Sequence, residues 1–494
     1  MKMNMKNLCL RFVLVCCLGI VSQVMSADKL SDYDSLKLQL NEHSLPLVNL
    51  VVDLARVTKP AYTQASMEVC DPLRRMDGNV LTPFRCKVKY RGNSSLRYEK
   101  KSFTVKLVDG RGEACDANLL GLRNDDTWVL DAMAIDRLRM RNRVNFDVWN
   151  DMSRTPYQTD YDQRNGTVGL FVELFVNGHY HGLYCLTDKV NRKLLGLKKA
   201  KVSVQGDTIV RGVLYKGNVW SSATMLNGYE TVDMGQTEWN GWELAYPDEL
   251  PGPTSYGPLM RFIDYCSKTT DQQLVSGVSQ RFYMENLRDY VVFLLSQGIW
   301  DNLFKNAYLS VPNIQKGERM LITPWDLDYS LGGRWNGDYT DIMDYDRLLY
   351  STSLVSRLWR GNLAAFKSLV SDRWKELRGN ILSPVTLDAR LDAYTDQLDK
   401  SGAWRREYDK WNGNPVPLKQ KVSEEVNYVK DWYRRNMAYL DDVVYKGIVS
   451  GVEHGRMDRY DDKEQTAVYN LAGQRVSRDY KGLVIVQGKK LVRK

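Results

Sequence analysis

The sequence predicts an α+β fold of two lobes: a β-rich N-terminal half, a helix-rich C-terminal half and a short β-type tail. Three observations predict it. Residues 45–110 alternate apolar and polar side chains in strand fashion. Residues 170–176 and 180–186 are two apolar runs flanking Asn177-Gly178, which suits a type I′ hairpin. Beyond residue 280 the chain reads as mainly helical, and over 423–445 Val426, Val429, Tyr433, Met437, Leu440 and Val444 recur every three to four positions, the period of a helix.

Taken in order, residues 1–27 read as a secretory signal peptide. Lys2, Lys6 and Arg11 precede ten apolar or small residues at 12–21, and Ser26 and Ala27 permit cleavage. The apolar run is shorter than the ~20 residues a membrane span needs. No later segment is long and apolar enough, so no transmembrane span is expected beyond the signal. An exported protein is expected, in the periplasm, on the cell surface or secreted. Turns are marked by Asp77-Gly78-Asn79 and Asp109-Gly110. A helix over 136–152 carries Met140, Val144 and Val148 on one face. Residues 217–258 place Trp220, Trp239, Trp242 and Tyr246 among small and polar residues, which reads as a loop-rich connection between lobes. Helices are expected over 281–300, 353–378, 386–400 and 423–445, the last with Ser423 as N-cap. Two short strands over 467–476 and 481–490 form the tail. The expected organisation is a signal peptide (1–27), a domain over 28–447 with lobes at about 45–216 and 255–447, and a linker with a β tail over 448–494. That tail resembles a sorting signal, an address or docking strand.

A hydrophobic content of 43% with 11% aromatics excludes a disordered or fibrous chain. The net charge of +9 dissolves once it is located. The signal holds three basic residues and no acidic ones, residues 465–494 hold seven against one, and 59 of each sign remain in the body. No nucleic-acid partner is therefore expected. Past the signal remain Cys70, Cys86, Cys115, Cys185 and Cys266, with Cys70–Cys86 the pairing expected of an exported chain. Four histidines and no Cys-x-x-Cys speak against a zinc site. His179 and His181, beside the hairpin turn, read as solvent-facing strand residues.

Asp301 and Asn306 have the Asp-x-x-x-x-Asn spacing of a protein-kinase catalytic loop, where the Asp accepts a hydroxyl proton and the Asn holds Mg²⁺. About one or two such spacings arise by chance in a chain of this length. Downstream, Asp326 and Asp328 form an acidic pair in an apolar run ending in glycine, where a kinase keeps its metal-gripping Asp. In the β-rich half, Arg91-Gly92-Asn93-Ser94-Ser95 precedes Lys100-Lys101 and an extended run. Such a turn offers backbone N–H groups and hydroxyls to a phosphate, with Lys101 as a clamp. A surface hairpin with solvated basic residues is the other reading of the same residues.

Together, Arg91–Ser95 with Lys100–Leu107, Leu170–Tyr184, Asn306–Leu309 and Pro324–Asp328 resemble the spore coat protein H (CotH) kinase family. Gly212–Lys216 and Arg141-Asn142 are similar to further landmarks of that family, in the same order. The resemblance covers residues 45–340 closely and extends to about 447. It implies a bilobal, atypical protein-kinase-like fold that transfers the γ-phosphoryl of ATP to protein Ser or Thr with Mg²⁺ or Mn²⁺. By residue, it implies Asp301 as catalytic base, Asn306 with Asp326 or Asp328 as metal ligands, and Lys101 as phosphate clamp. Arg91, Asn93 and Ser94 would then lie over the nucleotide. The partner is a protein substrate or another surface protein. Departures stand beside this: Ile299-Trp300 replaces His-Arg, and there is no Gly-x-Gly-x-x-Gly, Asp-Phe-Gly or Ala-Pro-Glu. A strand would put Asp326 and Asp328 on one face; otherwise one caps a turn and the other pairs with Arg334. Glu173 and Asp188 are the candidate acidic partners of Lys101. The first rival function is a catalytically weak or inactive kinase-like protein for binding or assembly at the surface. The second is a carbohydrate-binding module using Trp239, Trp242 and Tyr246.

Overall fold

Seven strands close into a barrel: β1 (Leu47–Val51), β2 (Thr63–Cys70), β3 (Leu81–Arg91), β4 (Ser102–Leu107), β5 (Thr127–Asp131), β6 (Gly169–Val176) and β7 (His179–Asp188). The computed structural model describes residues 30–158, 163–205, 208–231, 238–247, 253–341 and 345–445, with tail residues 468–470, 475–476, 482–486 and 489–493. The proposed signal, 1–27, lies outside them. Antiparallel pairings run β1-β2-β3-β4-β5-β7-β6, and a parallel pairing of β1 with β6, Leu47 opposite Glu173, closes the ring. The alternation read from the sequence is what fills it. Val48 and Leu50, Met67 and Val69, Cys86 and Val88, Phe103 and Val105, Trp128 and Leu130 all join one buried core. The β6–β7 turn has positive φ at Asn177 (52°) and Gly178 (81°), as type I′ requires.

The register corrects the cysteine pairing. Cys70 lies opposite Leu81 and Cys86 opposite Ala65, which sets the two about 16 Å apart along the ladder. All five described cysteines are free. His181 is also not a solvent-facing residue: its ring stacks on Tyr184 at 5.9 Å and meets Trp411 edge-on at 6.1 Å. His179 is exposed, as expected.

The helices are α1 (Asp32–Lys37), α2 (Arg141–Met152), α3 (Pro253–Lys268), α4 (Asp271–Arg281), α5 (Met284–Gln297), α6 (Tyr345–Tyr350), α7 (Ser353–Arg360), α8 (Phe366–Arg378), α9 (Pro384–Lys400), α10 (Ala403–Trp411) and α11 (Val422–Tyr439). The stretch expected as one helix over 353–378 is broken between α7 and α8, where Asn362, Ala364 and Ala365 have positive φ. Lys421, not Ser423, occupies the N-cap of α11. None of the helices among the described residues is long and apolar enough to cross a membrane.

A small strand pair, β8 (Lys201–Val202) with β9 (Thr208–Ile209), precedes a second sheet. That sheet contains β10 (Val213–Gly217), β11 (Glu238–Trp239), β12 (Trp242–Tyr246), β13 (Ala307–Val311) and β14 (Leu321–Pro324), in the order β11-β12-β10-β13-β14. The supposed loop-rich connection thus contributes two strands. Trp239 and Trp242 are 2% and 0% exposed, and the Tyr246 hydroxyl accepts the Ala200 N–H at 2.7 Å. Apolar packing claims both tryptophans, which leaves Tyr246, half-buried, as the one ring of the three open to a carbohydrate. By its contacts the chain divides into two units, Met1–Tyr445 and Lys446–Lys494. Within the second, strands Val468–Asn470, Arg475–Val476, Gly482–Val486 and Lys489–Arg493 form a four-stranded sheet.

Candidate active site

The loop carrying Asp301 follows α5, a helix buried along nearly all its length. Asn302, fully buried, staples that loop: its amide donates to the Asn306 carbonyl at 2.9 Å and to the Trp325 carbonyl, while Tyr290 donates to its own carbonyl. Two backbone bonds knit three segments together, Asn306 N–H to Gly217 O and Trp325 N–H to Asn306 O, both 2.9 Å. A Cβ at Gly217 would lie 2.1 Å from the Phe304 carbonyl oxygen, so β10 reaches the loop only because this residue has no side chain. The Asp301 carboxylate is held by three donors. Trp220 Nε1 donates to Oδ1 at 2.9 Å, Asn306 Nδ2 donates to Oδ2 at 3.0 Å, and the Lys305 ammonium also pairs with Oδ2.

Asp326 and Asp328 follow β14 in a loop rather than a strand. Asp326 has a φ of 59°, which breaks the extended run. Side chains of α2 hold this loop. Asn142 Oδ1 accepts the Leu327 N–H at 2.7 Å, and Asn145 Nδ2 donates to Ser330 Oγ at 2.7 Å. Arg141 Nε donates to the Ser330 carbonyl at 3.1 Å. Asn142 Nδ2 also donates to Asp131 Oδ2 at 3.0 Å, which ties the end of β5 to the acidic loop. Asp326 is open to solvent yet surrounded by protein mass, so it lines a cleft. That surrounding mass raises its pKa, opposed by Lys216, Arg91 and Lys305, with Asp131 adding to the rise. Asp328, half-buried, is raised well above the ordinary range by burial first and then by Asp326, Asp131, Asp136 and Asp301. Like charges this concentrated call for a cation.

The cations that face this group come from two places. Arg91, at the end of β3, sets its guanidinium 5.0 Å from the Trp325 ring centre. Lys216, on β10, is pushed down in pKa by burial, while Glu243 and Asp326 favour its charge and Arg91 opposes it. Neither cation makes an ion pair among the described residues. Lys101 points elsewhere: its ammonium donates to the Leu96 and Tyr98 carbonyls, both at 2.7 Å. It braces the short helical turn Ser94–Arg97, beside which Asn93 and Ser94 are exposed. The expected partners of Lys101 are engaged with other residues. Glu173 takes a bidentate pair from Arg406 at 2.7 Å, and Asp188 accepts from Arg123 at 3.2 Å. The buried lysine is its neighbour Lys100, paired with Glu407 at 2.6 Å, to which Arg139 also donates at 2.7 Å. Arg334 pairs with neither Asp326 nor Asp328; its backbone N–H closes a turn on Asp338.

The structure therefore gathers Arg91, Asp301, Asn306, Asp326 and Asp328 and leaves Lys101 aside. Sequence reading missed Lys216, Trp220, Lys305 and Asn302. For Asn302 there was a signal, an amide enclosed by the apolar Trp300, Leu303 and Phe304. Lys216 and Trp220 reach this place only through the contact at Gly217. A metal fits the donor set. Asp326 and Asp328 have no hydrogen-bond or ion-pair partner among the described residues. The Asn306 amide nitrogen, by donating to Asp301, leaves its oxygen free. Oxygen ligands of this kind suit a hard divalent cation. The contrast is Asp116, Asp125 and Asp126, whose oxygens lie within 4.8 Å of one another. There Arg123, Lys193 and Asn191 already neutralise and bind the acids at 2.6–2.7 Å. It is an ion-pair network.

A family model described as CotH kinase protein matches residues 88–440, from β3 through the end of α11 and including every residue of this site. No curated protein matches the chain.

Proposed function

Because the chain belongs to the CotH kinase family, we propose that it transfers the γ-phosphoryl group of ATP to Ser or Thr hydroxyls of a protein, within a bilobal kinase-like fold. The observation that carries this reading is the set of charges left without protein partners in one cleft: Asp326 and Asp328 against Arg91 and Lys216. Opposite charges gathered but not paired suit a metal-bound polyphosphate. Asn306, Asp326 and Asp328 are the ligands proposed for Mg²⁺ or Mn²⁺, and the metal would supply neutralisation of phosphate charge. Lys216, rather than Lys101, is the lysine proposed to hold the phosphates, with Arg91 beside it. The Asn93-Ser94 turn, braced by Lys101, is proposed to cover the nucleotide.

Asp301 acts as the base. The substrate hydroxyl oxygen forms a bond to the γ-phosphorus, the bond from that phosphorus to the β-phosphate bridging oxygen breaks, and ADP leaves. The hydroxyl proton passes to Asp301. With the signal-like residues 1–27, the protein is proposed to act outside the cytoplasm, on a surface or secreted protein.

Purified protein with γ-labelled ATP and Mg²⁺ or Mn²⁺ tests the reading. Asp301→Ala should lower transfer by about 10²–10⁴-fold, the usual contribution of a positioned base, and keep nucleotide affinity. Asp326→Ala should weaken nucleotide binding in the presence of metal, measured by calorimetry. Wild-type protein that binds nucleotide but transfers no phosphate with either metal would establish the alternative, an inactive kinase-like protein for binding or assembly.

A further inference from the structure

We infer that Trp220 is the positioning residue of the Asp301 carboxylate and that it couples the base to the strand carrying Lys216; this rests on the phosphotransfer reading above. The contact is direct, Trp220 Nε1 to Asp301 Oδ1 at 2.9 Å. An indole N–H donates and cannot accept, so it fixes one oxygen of the carboxylate without competing for the proton to be transferred. Oδ2 is already taken by Asn306 and Lys305. Oδ1, with Trp220 on one side, keeps its second lone pair for the incoming hydroxyl. Without the indole the carboxylate would be held through Oδ2 only, and Oδ1, the oxygen offered to the hydroxyl, would lose its one direct tether.

Trp220 is 37% exposed, yet its base is fixed. The Asn218 N–H donates to the Gly241 carbonyl at 2.9 Å, and Ser221 Oγ donates to the Asn240 carbonyl at 2.7 Å. Fully buried Thr224 donates back to the Val219 carbonyl at 2.8 Å. The loop is thereby sewn to the β11–β12 turn. The Lys305 ammonium lies 5.8 Å from the Trp220 ring centre, so ring, ammonium and carboxylate form one cluster. Trp220 follows Lys216 by four residues, and between them Gly217 accepts the Asn306 N–H. One short segment thus reaches the phosphate side through Lys216 and the acceptor side through Trp220. A phosphate held by the first is placed at a set distance from the base held by the second.

Steady-state kinetics with ATP and the metal that supports transfer decide the matter. Trp220→Phe keeps a ring and removes the N–H. It should lower kcat by about ten-fold, the worth of one hydrogen bond to a charged group, with KM for ATP within two-fold of wild type. Trp220→His, which can present a ring N–H, should recover part of the lost kcat. An unchanged kcat in Trp220→Phe would overturn the inference while leaving the kinase reading intact. So would a lowered melting temperature with no recovery in Trp220→His, since the ring would then serve the fold alone. Wild-type protein without transfer would remove the kinase reading, and this inference with it.

Discussion

Lys100 and Lys101 are neighbours in sequence and opposites in place. Both lie in the bend before β4, yet one ammonium enters the core beside Glu407 and the other turns to the Leu96 and Tyr98 carbonyls. No local pattern marks which of two adjacent lysines goes inward. His181 shows the same dependence on what lies across from it. Burial, with Lys100 and Lys410 adding repulsion against an opposing Glu407, pushes its pKa down to about 4 from an ordinary 6.5. The folded protein therefore holds His181 neutral while the unfolded chain takes up a proton first. Stability from this group is complete above pH about 6.5 and is lost as pH falls toward 4, a total of up to about 3 kcal/mol. Thermal unfolding between pH 7 and 4.5 should accordingly show a shallower acid loss in His181→Phe than in wild type. Parallel profiles would assign the loss to other groups. That Asp301, Asn306, Asp326 and Asp328 would meet in one place was legible from their spacing, since two short acidic motifs flank the β13–β14 hairpin. Lys216 and Trp220 were not, because each is defined by a loop approaching from elsewhere.

Helix α10 is joined to the barrel by a buried charge cluster. Glu407 receives Lys100 at 2.6 Å, Arg139 at 2.7 Å and the Leu183 N–H at 2.8 Å, with no solvent access to any of the three charged side chains. Burial opposes the charge on both Lys100 and Glu407, and the two cations still hold the Glu407 carboxyl below its usual range. Glu407→Gln would leave two buried cations without a counter-charge, at a cost of about 3–5 kcal/mol. A drop in melting temperature of several degrees is expected, against no change in Arg405→Ala, whose pair with Asp409 faces solvent. An unchanged melting temperature in Glu407→Gln would show that the cations are solvated in other ways. The expected elements follow the same division. The β6–β7 hairpin was legible, since Asn-Gly sets its own turn. The break between α7 and α8 was not, because Gly361 and Asn362 lie within an otherwise helical period. Nor were β11 and β12, short strands whose tryptophans read as loop residues until Tyr229 and Tyr256 pack on Trp239.

On the scale of the molecule, the β-rich and helix-rich halves were legible from periodicity alone, whereas barrel closure was not, since no local signal pairs β1 with β6. The tail is its own contact unit and carries an excess of six positive charges over residues 465–494. Truncation after Glu464 should leave the melting temperature of the remaining body nearly unchanged in calorimetry. A large fall would place tail residues in the core of that body. The ring closure also bears on the order in which the chain can become itself. As the polypeptide is made from its N-terminus, β1 must wait for β6 before it has both neighbours, Leu47 for Glu173. Lys100 then waits for a glutamate 307 residues further on. Until then the nascent half exposes an open sheet edge and a lysine without its acid, and closing so long a loop is slow. The barrel can close once β7 has been made, but its buried lysine gains a counter-charge only when α10 has arrived.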